Sequence, residues 1–337
     1  MPINRLFIIC IMSILFMAAP VCAASDKIDV VSTTSVLWDP IQYIGGDKVN
    51  AIYISDPTIC PHMQSDIIPN NIQLKKDFIK DADMFVANNG STDKTYVMPY
   101  VNDFMKTNNY GTVNWYTLKD PSMAWNTPDS AKKIVEEVKG WLAKKDPANS
   151  AYYDQRYLEY IALIDASNPT AQEKALLGQQ DVIVMMWQQD PVQNWLGMKV
   201  VNIYAPEFAM NGTKTAAKLI DDINANPDKY KNVKFIIENM QSGELAKGVE
   251  EALKDKGINV KRVVFTNFPK SVQDADNLPG MLKYNKNLIL QNAATPTAPT
   301  QVATPTPTPA QSPMGIVSAV AGLLISAALV RYRSRNN

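Results

Sequence analysis

The chain has 337 residues, 46% hydrophobic and 20% charged, with 33 basic and 33 acidic side chains and a single histidine. Those proportions exclude a disordered tail, a collagen-like rod and a polytopic membrane protein, and zero net charge argues against a general nucleic-acid binder. The length suits two domains or one large bilobed fold, and one histidine severely limits metal or acid–base chemistry.

Residues 1–24 place Arg5 before an apolar run and small residues after it. This is the layout of a secretory signal peptide, so the mature chain is expected to begin near Ser25. A lipoprotein alternative through Cys22 has the bulk of Val21 against it. Cys10 and Cys22 both lie in this leader, which leaves Cys60 alone and rules out an internal disulfide.

From Ile28 the chain reads IDVVSTTS, a β-branched run ending in hydroxyls, then an apolar helical stretch to Gly45-Gly46. AIYIS (51–55) and MFVAN (84–88) are further strand candidates, and between them Leu74, Phe78 and Ile79 are spaced as one helix face. Thr127 is expected to cap a helix with Pro128 at its first position and a buried stripe of Ala131, Ile134, Val135, Val138 and Leu142. Past Pro147, a helix from about Ser150 to Ala166 aligns Tyr153, Tyr157, Tyr160, Ile161 and Ile164 on one face. The strand–helix alternation then resumes with VIVMMW (182–187), KVVNIY (199–204), KFIIEN (234–239) and VKRVVFTN (260–267), and Gly243 to Lys256 is the clearest helix among them.

Strands separated by helices predict an α/β fold of two lobes, each a mainly parallel sheet flanked by helices, joined by one long helix. The lobes are expected at 25–147 and 168–291 with the linking helix at 148–167, and a ligand where the C-terminal ends of the strands face each other. Residues 292–313 repeat Thr-Pro, which forms neither ladder nor helix and reads as an extended stalk. Met314 to Val330 is uncharged and apolar, at the short end of what spans a bilayer, and Arg331, Arg333 and Arg335 follow in a basic tail, 331–337. The arginines are expected to stay cytoplasmic, which leaves the rest on the outer face of the cell membrane. Without Arg5 and those three arginines, the mature ectodomain carries a net charge of −4.

No Walker loop, GxGxxG turn, GxSxG elbow or HExxH appears, and one histidine without CxxC leaves little for a triad or a zinc hydrolase site. The expectation is a non-enzyme with no catalytic cofactor. One cluster stands out, Asp56-Pro-Thr-Ile-Cys60-Pro-His62-Met63, which packs a thiol, an imidazole and a thioether into four positions after a strand. A small buried Cys beside a surface His accounts for it equally well. Trp125, Trp187 and Trp195 are either walls of the same cleft or packing between lobes, and packing is the commoner role.

IDVVSTTSVLWDPIQYIGGDKVN resembles the opening of the solute-binding proteins of zinc and manganese ABC transporters, the TroA-like and ZnuA-like family. The resemblance continues through the Asp56 to His62 loop, LKKDFIKDADMFVANNG, TPDSAKKIVEEVKGWLAKKDPANSAYYDQRYLEYI, WLGMKVV and MLKYNKNLI, in order over most of 25–290. The stalk, apolar segment and basic tail are similar to those of archaeal surface-anchored proteins, whose apolar segment is retained or exchanged for a lipid. The resemblance implies two α/β lobes on a rigid helix, one metal ion in the cleft, a monomer, and delivery to a membrane permease driven by a cytoplasmic ATPase.

The family holds its metal with three histidines and a carboxylate, and this chain departs from that set. The first histidine matches His62; the positions of the second and third fall on Met123 and Met186, and that of the carboxylate falls near Asn267. The resemblance thus implies a metal site of His62, Met123, Met186 and Asn267, with Cys60 at its edge. Thioether and thiolate are poor ligands for zinc or manganese and good ones for soft Cu(I), so a soft ion is expected ahead of the conventional two. Asp56, Asp66 and Asp190 are the carboxylates that would serve a harder ion. The alternatives are a surface interaction protein that kept the fold and lost the ion, its methionines being core filling, and a receptor for a small organic or chelated ligand.

Overall fold

The computed structural model describes residues 27–121 and 124–294. The leader 1–24, the apolar segment 314–330, the basic tail and Met123 lie outside the described residues, as does most of the stretch read as a stalk. Among the described residues no helix is long and apolar enough to cross a membrane.

Two four-stranded parallel sheets form the two lobes, joined by one helix, as the alternation predicts. In the first sheet β1 (Ile28–Ser32), β2 (Val49–Tyr53), β3 (Met84–Ala87) and β4 (Trp115–Thr117) lie in the order β2-β1-β3-β4. In the second, β5 (Asp181–Met185), β6 (Lys199–Tyr204), β7 (Val233–Asn239) and β8 (Lys261–Phe265) repeat that order as β6-β5-β7-β8. The central strands are apolar on both faces, and Val30, Val31, Val182, Ile183 and Val184 are wholly buried, because helices cover both sides of a parallel sheet.

The first lobe carries α1 (Ser35–Gly45), α2 (Ile67–Leu74), α3 (Lys76–Lys80), α4 (Ser91–Tyr96), α5 (Met98–Thr107) and α6 (Pro128–Lys145). The Thr127 hydroxyl accepts from the Ser130 amide 3.3 Å away, and all five residues of the expected α6 stripe are buried. One expected face is corrected: the chain breaks at Lys75 between α2 and α3, so the helical phase is lost and Leu74 is 82% exposed. Ile72 and Ile79 carry the burial there instead. The three-residue β4 is too short to register as a strand pattern.

The linking helix α7 (Ser150–Asp165) buries Tyr153, Tyr160 and Ile164 and lays Tyr157 and Ile161 against the same core. The second lobe follows with α8 (Ala171–Leu177), α9 (Ala216–Ala225), α10 (Ala246–Asp255) and α11 (Leu278–Ala294). Thr170 and Glu173 close a reciprocal cap on α8. α11 runs through Asn292, Ala293 and Ala294, so the first three positions assigned to the stalk are helical.

One buried carboxyl joins these parts. Asp39 on α1 accepts from the Tyr160 hydroxyl of α7 and from the Leu278 backbone N–H that opens α11. Both bonds end on the same oxygen, so the first lobe, the linking helix and the second lobe meet on one atom. Burial pushes its pKa up from 3.8 to about 7, against the opposing pull of those two hydrogen bonds and of Lys270.

The sign of the resulting pH dependence follows. Between about pH 4 and pH 7 the folded chain keeps a proton on Asp39 that the unfolded chain has released, so stability falls as pH rises through that window and levels off above it. Asp93, raised to about 6, adds a component of the same sign in the lower part of the window. Asp39→Asn is expected to reduce the fall in stability between pH 5 and pH 8, read by denaturant titrations, by at least about 1 kcal/mol. An unchanged slope in that variant would contradict the assignment.

Candidate ligand cleft

In a parallel sheet every strand delivers its following loop to the same edge, and here the two edges face each other across a cavity of about 320 Å³. Its wall is built from the residues just past the strands: Thr34 after β1, Asn88 after β3, Trp187 after β5, Asn239 and Gln241 at the end of β7, and Asn267 and Phe268 after β8.

The loop after β2 carries the Cys60–His62 cluster, and one side chain sets its shape. Gln64 is fully buried; its amide donates to the carbonyls of Asp56 and Ile59 at 2.8 and 2.6 Å and accepts the Asp56 N–H at 2.8 Å. This staple leads into a single 3₁₀ turn, Pro61–Met63, which points Cys60 into the cavity. Burial pushes the Cys60 thiol up, partly offset by the backbone N–H of His62. The His62 ring meets Phe208 of the second lobe with ring centroids 4.8 Å apart and Tyr96 at 6.2 Å. Phe208 in turn approaches Trp187 at 6.4 Å, so an aromatic run bridges the lobes at the mouth. Burial lowers the His62 pKa, which favours its neutral form.

Carboxamides make the floor. The Asn267 Oδ1 accepts from Gln188 at 2.7 Å and from Asn126 at 3.4 Å, its backbone carbonyl accepts the Trp125 indole N–H, and its own N–H donates to Gln241 at 3.2 Å. Asn126 also donates to the Trp187 carbonyl at 2.8 Å. Gln241 donates to Thr266 and to the carbonyl of Pro57, each at 2.9 Å, and the second of these ties the β2 loop to the opposite lobe. All these groups are neutral, so the network crosses between lobes without burying a charge.

The one carboxyl among the described lining residues is Asp93, 3% exposed, which accepts the Asn89 N–H at 3.0 Å. Burial, set against that bond and the neighbouring Thr33 hydroxyl, raises its pKa to about 6. Two wall amides stay half-used: Asn88 Nδ2 and Asn126 Oδ1 are buried with no partner among the described residues.

The expected donors are therefore placed unequally. Cys60 and Asn267 line the same cavity, whereas His62 is not among its lining residues and packs against Phe208. Met186 opens the turn after β5 and packs, partly buried, against the core of the second lobe, while Met123 lies outside the described residues. Asn267 already spends its side-chain oxygen on two amide donors. Asp56 closes a local turn on Thr58 and Asp190 accepts from Asn194, and neither lines the cavity. Among the described residues no three His, Cys, Asp or Glu side chains converge as a metal cluster would require. Of the tryptophans, Trp125 and Trp187 line the cavity, whereas Trp195 packs in the core. The sequence reading passed over Asn88, Asn126, Gln188 and Gln241; their position just past a strand, or just before a capped helix, is the signal that finds them.

The family described as zinc-uptake complex component A, periplasmic, matches residues 30–292. Among curated proteins, a manganese ABC transporter substrate-binding lipoprotein of Streptococcus gordonii is 21% identical over 286 residues, covering 81% of this chain and 91% of the relative. An iron ABC transporter substrate-binding lipoprotein of Streptococcus pyogenes is 22% identical over 295 residues with the same coverage. Among solved structures, a Mn-bound periplasmic metal binding protein of Candidatus Liberibacter asiaticus superposes with a TM-score of 0.59 at 17% identity, covering 78% of this chain and 98% of the other. The periplasmic zinc binding protein TroA of Treponema pallidum gives 0.58 at 14% identity, covering 80% and 100%. At such identities the structural likeness establishes the fold alone.

The thiol offers a direct check on the cleft geometry. Because its pKa is raised and it is recessed, Cys60 is expected to react with iodoacetamide at pH 8 at least about tenfold more slowly than free cysteine, read by peptide mass spectrometry. A rate equal to that of an open thiol would place Cys60 outside the cavity.

Proposed function

Because the chain belongs to the family of periplasmic zinc-uptake complex component A, we propose that it is the extracytoplasmic solute-binding component of an ABC uptake system whose cargo contains a metal ion. The observation that carries this reading is the cavity between the two sheet edges, walled by strand ends of both lobes and bridged by the Gln241–Pro57 hydrogen bond. The chain catalyses nothing in this reading. It captures cargo by lobe closure and hands it to a membrane permease driven by a cytoplasmic ATPase. It works as a monomer held at the outer face of the membrane by the segment after the stalk.

Among metals, the side chains favour a soft one. Were the ion held by protein side chains alone, Cys60 in the cavity, with neighbouring His62 and with Met123, would suit Cu(I) better than zinc or manganese, and Asn267 supplies no negative charge to a hard ion.

Elemental analysis of cells lacking the chain tests the reading. Their content of one transition metal, copper first, is expected to fall severalfold and to return with the wild-type chain. Unchanged content of every transition metal would sink the metal-cargo reading and favour a surface protein that kept only the fold.

A further inference from the structure

The wall of the cleft is chemically odd for a site that grips a naked cation. A cation needs several anionic or strongly basic donors converging at a point, with little else inside. This cavity, at about 320 Å³, has the size of a site for a small organic molecule. Its described lining offers one carboxyl and one thiol, and the carboxyl is already engaged by the Asn89 amide. Its other polar side chains are carboxamides and hydroxyls, and Trp125, Trp187 and Phe268 contribute aromatic rings. Trp125 and Phe268 pack tilted with centroids 5.6 Å apart, and the bond from the Trp125 indole N–H to Asn267 fixes the indole in place.

Two wall atoms point to what completes them. Asn88 is 94% buried, its oxygen accepts from Thr34 at 3.4 Å, and its Nδ2 has no partner among the described residues. Asn126 is 96% buried, its nitrogen is used twice, and its Oδ1 has no partner there. A buried polar atom without a partner is costly, and a native site keeps one where a ligand or ordered water fills the gap. One unpaired atom is a donor and the other an acceptor, and both residues line the same cavity as Trp125 and Trp187.

We infer that the cleft binds a small, planar, uncharged organic ligand presenting a hydrogen-bond acceptor to Asn88 and a donor to Asn126, free or wrapped around a metal ion, and that the bare ion is not its ligand. The inference rests on the solute-binding reading and gives its cargo an organic shell. A planar chelate satisfies both the family's metal and this chain's carboxamides, because the coordination bonds come from the chelator and the protein touches only its rim and faces. The substitution of imidazole and carboxylate by thioether and carboxamide then follows, since a pre-coordinated metal requires no ligands from the wall.

The test uses the full chain and defined probes. Nickel(II) bis(thiosemicarbazonate) is neutral, square-planar and carries peripheral N–H and imine groups; its metal-free thiosemicarbazone supplies the same rim, and Ni²⁺, Zn²⁺ and Cu⁺ alone supply the bare ions. Calorimetry and quenching of tryptophan fluorescence should report 1:1 binding of the chelate and none of the ions. Asn88→Ala and Trp187→Leu, each checked for folding by circular dichroism, should weaken that binding about tenfold or more. Equal affinity for the metal-free compound identifies the organic molecule itself as cargo, and preference for the chelate identifies the complex. Stoichiometric binding of a bare ion, unaffected by Asn88→Ala, overturns the inference and leaves the solute-binding reading standing. No binding of any probe overturns it as well, and the solute-binding reading falls with it only if cellular metal content is also unchanged.

Discussion

One oxygen atom holds the architecture together. The Asp39 carboxyl takes the Tyr160 hydroxyl and the Leu278 amide at once, and so ties α1, α7 and α11 together at one point. The cleft depends on it indirectly. Thr34, on its wall, immediately precedes the same α1, and the strand ends of the second lobe are oriented by α11, whose Asn285 side chain pairs with both backbone groups of Thr266 at 3.0 and 2.8 Å. The cleft floor is thus braced from behind. A carboxyl in so dry a position is expensive to ionise, and its proton belongs to the structure over much of the ordinary pH range.

The chemistry of the cleft departs from that of a hard-metal receptor by a consistent substitution of neutral groups for charged ones. Asn267 stands where a carboxylate is expected, and it has become the centre of a hydrogen-bonded network with Gln188, Asn126 and Gln241. A carboxylate there would have to pay for desolvation or recruit a cation. A carboxamide needs neither: its oxygen accepts from Asn126 of the first lobe and Gln188 of the second, while the backbone N–H of Asn267 bonds Gln241, which reaches across to Pro57. The same argument explains why Asp93, the carboxyl that remains, sits beneath the Asn89 amide and titrates near 6.

Much of the fold was legible because parallel sheets announce themselves. Continuous apolar runs such as VIVMMW (182–187), separated by helical stripes, permit few other arrangements, and α6 was readable residue by residue from its cap and its stripe. The failures have physical causes. Leu74 broke its pattern because a single residue, Lys75, resets the helical phase, and β4 is held by pairing with β3 instead of by any pattern of its own. At the cleft, Cys60 and Asn267, singled out from the resemblance and from spacing, line the cavity, whereas Met186 packs, partly buried, against the core of the second lobe. The carboxamides were invisible because Asn and Gln occur everywhere on surfaces; only the fold shows which of them are buried and which of their atoms are left over.

The two sheets share one strand order, and the cleft draws its wall from both lobes. Whatever fills it touches Thr34 near one end of the chain and Asn267 near the other, with the linking helix between them. A bound molecule is therefore a cross-link with no covalent bond, closing a loop of more than two hundred residues. Its binding energy would act on the whole chain at once, so that an isolated lobe would lack half of the contacts and a bound cargo would steady segments it never touches.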